Sequence, residues 1–221
     1  MNSDWATDSP FFVEDVDAPH SAYWAGRRDV ADAVRELIDA VTAADIPAEE
    51  ATTISEQIRT ITRRLGDYRQ LRGVLAHAEA HGSLPVANHE ILCVGGYSHP
   101  IAPGLRQWLD GDIVRGQVRF SGAYEGPPNH THGGWVAAVF DHFMGMSHMR
   151  LGKPGMTGGL EVRYVKPTPL GKVIDLSATV EPAGGRKTRV FAEMTCEGEV
   201  TATAEATFIQ PKHMIFHEGE P

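Results

Sequence analysis

The chain has 221 residues, room for one domain and an extension, and its 42% hydrophobic and 22% charged residues are those of an ordinary globular protein. Acidic residues outnumber basic ones by 29 to 20; the net charge of -9 argues against a nucleic-acid partner but allows a small anionic ligand held by a few local cations. No run approaches the roughly 18 apolar residues of a membrane span, and polar Met1 to Pro10 lacks the basic and apolar regions of a secretory signal, so a cytoplasmic protein is expected.

From Ser21 to Ala44 apolar residues recur at helical spacing, as Val30, Val34, Leu37, Ile38 and Val41. Asp45, Pro47, Glu49 and Glu50 then read as a helix start. Ile54, Ile58, Ile61 and Leu65 continue the period, and Leu71, Val74 and Leu75 extend it towards Ala80. Two or three amphipathic helices ending near Gly82 are expected, each needing a surface for its apolar stripe. Gly82 to Pro103, punctuated by Pro85, Gly95-Gly96 and Pro100, reads as irregular.

Ile113 to Phe120 alternates like a strand, while Gly134 to Met149 is apolar, free of proline and reads as a mostly buried helix. Four strand-like runs follow: Leu160 to Val165, Val173 to Val180, Thr188 to Cys196 and Val200 to Ile209, the last two joined by a hairpin candidate at Glu197-Gly198. The layout is α+β, an antiparallel sheet of about five strands wrapped around one helix. One helix cannot cover such a sheet, so a second copy or the N-terminal helices must help. The expected division is a helical extension over 1–90, the sheet domain over 91–212 and a tail over 213–221. Cys93 and Cys196 lack metal-site spacing and read as buried small apolar residues.

Chemistry concentrates between Tyr124 and Gly145. Gly133 and Gly134 open the central helix, where backbone N–H groups lack intrahelical partners and a ligand can approach closely. A carbonyl oxygen or oxyanion suits such a helix start. Asp141 lies seven residues beyond Gly134 and shares its helical face. A carboxylate within an otherwise apolar helix is costly unless it is paired or used. His130, His132, His142 and His148 do not form a paired metal-ligand spacing, so no metal is expected.

His132-Gly133-Gly134, then Ala137 or Ala138, Asp141 and Gly145, resembles the signature of hotdog-fold acyl-CoA thioesterases. The likeness is to the subgroup of 4-hydroxybenzoyl-CoA and phenylacetyl-CoA thioesterases, with HGG before the central helix and an aspartate inside it. It extends to Ser98–Pro103, to Tyr124-Glu125-Gly126-Pro127-Pro128, and to Thr157, Leu160, Val162, Tyr164 and Lys166-Pro167.

The resemblance implies a hotdog fold with an N-terminal helical extension, hydrolysing an acyl-CoA to a carboxylic acid and free CoA. It implies that the Gly134 N–H polarises the thioester carbonyl and that Asp141 is the general base or the nucleophile. Thr157 would position water or the carboxylate, an ordinary strand threonine being the other reading. Asn129, His132 and Gly133 would border the substrate, with His132 shaping the glycine turn, and Arg186 and Lys187 would meet CoA phosphates. The site would lie across a homodimer or a dimer of dimers, with no cofactor beyond the CoA of the substrate. Asn129-His130-Thr131 and His142 depart from the usual pattern. The alternative is a non-catalytic acyl-CoA-binding module on the same fold.

Overall fold

Alternation decides which side of each strand faces inward. Ile174, Leu176 and Ala178, then Val190, Ala192 and Met194, then Ala202, Ala204, Ala206 and Phe208 are buried, while their neighbours in sequence are more exposed. The computed structural model describes residues 18–149 and 155–211. In it these runs become β4 (Val173–Pro182), β5 (Lys187–Cys196) and β6 (Glu199–Ile209). β1 (Arg106–Asp110), β2 (Ile113–Arg119) and β3 (Met156–Tyr164) complete a six-stranded sheet in the order β1-β2-β4-β5-β6-β3, with every pairing antiparallel. At the β5–β6 hairpin Glu197 and Gly198 take φ of 53° and 81°, the two left-handed positions that match a tight turn to strand twist.

The central helix, α5 (Gly133–His148), lays Val136, Val139, Phe140, Phe143 and Met144 against that inner face, in one core with Phe120, Ile174, Val190, Met194 and Phe208. This is the hotdog arrangement, a sheet around a helix, and it matches the α+β expectation. The sequence-based strand count lacked β1, whose Arg-Gln-Trp-Leu-Asp is mostly exposed and shows no buried alternation.

Four helices precede the sheet: α1 (Ala22–Ala43), α2 (Ala48–Gly66), α3 (Gly73–His81) and α4 (Leu84–Ile91). The last falls in the stretch whose Pro85 predicts irregular chain, yet that proline lies in the first turn, where its missing N–H costs nothing. The stripe expected to dock α1 needs correction in part, because Val30, Leu37 and Val41 are exposed while Val34 and Ile38 are half-buried. Trp24 and Ala31 are the buried positions, flanked on the same face by Arg28 and Arg35. Arg28 donates from Nε and Nη2 to Oε1 of Glu90 on α4, at 3.0 and 2.7 Å, and its guanidinium lies 4.4 Å from the Tyr97 ring centre. Ser98 Oγ donates to the other oxygen of that fully buried carboxylate. Arg35 donates to the carbonyls of His99 and Tyr97. α2 has acidic residues in its first turn and basic ones in its last, which suits its dipole, but none of its residues is buried. Cys93, expected to be buried, is exposed, whereas Cys196 is buried. No helix among the described residues is long and apolar enough to cross a membrane.

Candidate active site

The loop before α5 is built from its own backbone. Gly126 donates to the His130 carbonyl, His130 to Pro127 and His132 to Tyr124, each at 2.9 Å, and Thr131 ties the loop to the Thr168 carbonyl at 2.8 Å. A Cβ on Gly126 would stand 2.7 Å from the His132 Cα, so glycine is required for this fold-back. Asn129 takes φ of 63°, a left-handed turn position that asparagine tolerates, and its N–H donates to Glu125.

The turn delivers His132 as the N-cap of α5. Its Nδ1 accepts the Gly134 N–H at 3.0 Å, so the donor expected to meet a ligand is held by the preceding imidazole. Tyr164, at the end of β3, donates its hydroxyl to the Gly133 carbonyl at 2.9 Å and fixes the helix start to the sheet. Two turns on, Asp141 Oδ1 accepts from Thr157 Oγ1 at 2.8 Å. Gly134, Asp141 and Thr157 thus share one exposed face. The aspartate expected inside a mostly buried helix is instead on its outward side: the opposite stripe, from Val136 to Met144, takes the sheet contact. Thr157 also precedes a break in register between β3 and β6, at the strand end nearest the carboxylate.

Arg186 and Lys187 lie at the same end of the sheet. Lys187 pairs with Ile209, which pairs with Met156, and in the next row Thr188, Phe208 and Thr157 line up. Arg186 Nη1 donates to the Gln210 carbonyl at 2.8 Å. His142, beside Asp141, turns inward against the backbone at Gly95, where a Cβ would stand 1.9 Å from its Nε2. Burial, with a lesser contribution from His89, lowers its pKa to about 4, so it is neutral at pH 7. Neither the capping of Gly134 by His132 nor the His142–Gly95 contact had a spacing signal. The Tyr164 hydroxyl bond was hidden too, although its strand was marked. Among the described residues no group of three or more His, Cys, Asp or Glu is placed to hold a metal ion.

Residues 128–203 match the family model of the thioesterase superfamily. Over 83 residues the chain is 36% identical to acyl-coenzyme A thioesterase THEM4 of Xenopus laevis and 32% identical to that of Mus musculus, in each case over 38% of this chain. It spans only 37% and 36% of the length of those relatives. A crystal structure of a thioesterase superfamily protein, 28% identical, superposes with a TM-score of 0.71 over 86% of this chain and 96% of its own. That coverage reaches beyond the sheet into the helices before it.

Proposed function

We propose, from the thioesterase-superfamily domain that this chain carries, that the protein is an acyl-CoA thioesterase hydrolysing R–CO–S–CoA to a carboxylic acid and free CoA. The observation that carries the reading is the placing of Gly134, Asp141 and Thr157 on one open face. A thioester carbonyl that displaces His132 Nδ1 would accept the Gly134 N–H, and the negative charge growing on its oxygen would sit at the start of α5. Asp141, oriented by the Thr157 hydroxyl, either takes a proton from water as the water adds or attacks the carbonyl itself. In both routes the C–S bond breaks, CoA leaves as a thiolate that takes up a proton, and water supplies the new carboxyl oxygen.

The reaction calls for no metal or redox cofactor; CoA enters as part of the substrate. Arg186 and Lys187, at the Thr157 end of the sheet, are suited to its phosphates. A second copy of the chain against the open face would close the site as a homodimer, or as a dimer of dimers. The rival reading, a non-catalytic acyl-CoA-binding module, has one observation in its favour: the Gly134 N–H already has a partner in His132.

Asp141→Asn separates the two. The change keeps shape and a hydrogen-bond acceptor for Thr157 but removes the charge. Thiol release from an acyl-CoA panel should fall about 10²- to 10⁴-fold in kcat, with KM changing far less. A folded variant with near-normal kcat would overturn the role of Asp141, and CoA binding without thiol release in the unmodified protein would favour the module.

A further inference from the structure

Between α1 and the body of the domain lies a cavity of about 390 Å³, apart from Gly134, Asp141 and Thr157. Arg28, Arg35, Arg106 and Arg119 line it, with Asp32 and Asp39. Counting the Glu90 carboxylate that Arg28 holds, four guanidinium groups face three carboxylates, a local surplus of +1 in a chain whose overall charge is -9. Both aspartates have internal partners: Asp32 accepts from Arg35 at 2.6 Å and Asp39 from the Ala123 N–H at 3.4 Å. Arg28 and Arg35 are committed to the docking of α1. The other two are not. Arg119 gives one N–H to the Gly171 carbonyl at 3.1 Å, and the Arg106 side chain has no hydrogen-bond or ion-pair partner among the described residues.

Ile38, Pro103, Leu105 and Tyr124 supply apolar lining. Tyr124 donates its hydroxyl to the Ile101 carbonyl at 3.1 Å and packs edge-on against Trp135 of α5. Beside the cavity, burial chiefly, then Arg35 and Arg27, lowers the pKa of His99, whose carbonyl accepts Arg35. The volume falls in the range of small-molecule sites, and a guanidinium fork matches phosphate oxygens.

We propose that this cavity binds the phosphate group of a small phosphorylated molecule, with Arg106 and Arg119 donating to its oxygens. The phosphate can come from two sources, the CoA of a substrate or a separate phosphorylated effector, and this assignment does not depend on Asp141 being catalytic. The two guanidinium groups not committed to docking α1, those of Arg106 and Arg119, match the charge of a dianionic phosphate. Its binder would sit over Tyr124, whose own carbonyl holds the His132 N–H at 2.9 Å.

Calorimetric titration of the full chain with inorganic pyrophosphate tests the site. Saturable binding is expected, and Arg106→Ala with Arg119→Ala should weaken it about tenfold or more, the scale of losing charge-assisted bonds. Arg106→Gln alone, at a side chain with no partner to lose, should weaken it without altering thermal stability. If CoA is the source, CoA displaces pyrophosphate and the Arg106 variant raises KM for acyl-CoA; if an effector is, pyrophosphate and CoA bind together and KM stays constant. No saturable binding, or equal binding by the arginine variants, overturns the proposal.

Discussion

Helices α5 and α1 lie against the same domain by opposite means. α5 is held by area: Val139, Phe140, Phe143 and Met144 are fully buried in a continuous apolar core. α1 is held more by direction: beside buried Trp24 and Ala31 and half-buried Val34 and Ile38, it docks through Arg28 and Arg35, each aimed at a carboxylate or carbonyl of the α4 region and the loop after it. Apolar contact tolerates small shifts, whereas a buried ion pair is worth little net energy but fixes one geometry. The extension is therefore specified in position more than it is stabilised in bulk.

The largest expected break in that comparison is Arg28→Ala. It leaves the Glu90 carboxylate, 0% exposed, with Ser98 but without its cation. Removing one member of a buried pair typically costs 3–5 kcal/mol; with the Ser98 bond retained, about 3 kcal/mol is expected. Hydrogen exchange should rise across α1 and α4 before it rises in β4, β5 and β6. Arg28→Met with Glu90→Leu should recover most of the loss. Uniform loss of protection across both regions would mean that the extension and the sheet are one cooperative unit.

The same contrast explains what could be read from the sequence. The sheet and α5 bury area, and burial writes a period into the sequence, so β4, β5, β6 and the central helix could be placed within a few residues. α1 carries a regular apolar stripe too, but Val30, Leu37 and Val41 face outward while arginines face the protein. A hydrophobic period cannot report a helix docked by charge. The site follows this division. Gly134 and Asp141 could be aligned because helical spacing puts residues seven apart on one face. The His132 bond to Gly134 depends on how the preceding loop folds back at Gly126, which carries no period at all.

A smaller effect is expected where the two regions meet. His142 of α5 lies against Gly95, in the loop that follows α4, and burial lowers its pKa from 6.5 to about 4. The folded protein holds it neutral, while the unfolded chain binds a proton below pH 6.5. The stabilisation is therefore complete above pH 6.5 and is lost as pH falls towards about 4. Near pH 5 this amounts to about 2 kcal/mol. Urea midpoints at pH 5 and 7.5 should lie closer together in His142→Asn than in the unmodified protein; an unchanged gap would assign the acid sensitivity to other groups.

The smallest effect belongs to α2. Ile61 and Leu65 are 61% and 49% exposed, and nothing on this helix is buried. If direction rather than area holds the extension, Ile61→Ser should cost less than about 0.5 kcal/mol, the ordinary range for surface positions. Isoleucine and serine have similar helix propensities, so the helix itself should persist. Chemical denaturation at two protein concentrations gives the answer. A small loss at both concentrations supports a stripe open to solvent. A loss above about 1 kcal/mol that grows with concentration would mean that another copy covers Ile61, as burial in an interface contributes only in the assembled state. The extension would then be held by area after all, with the area supplied by a second chain.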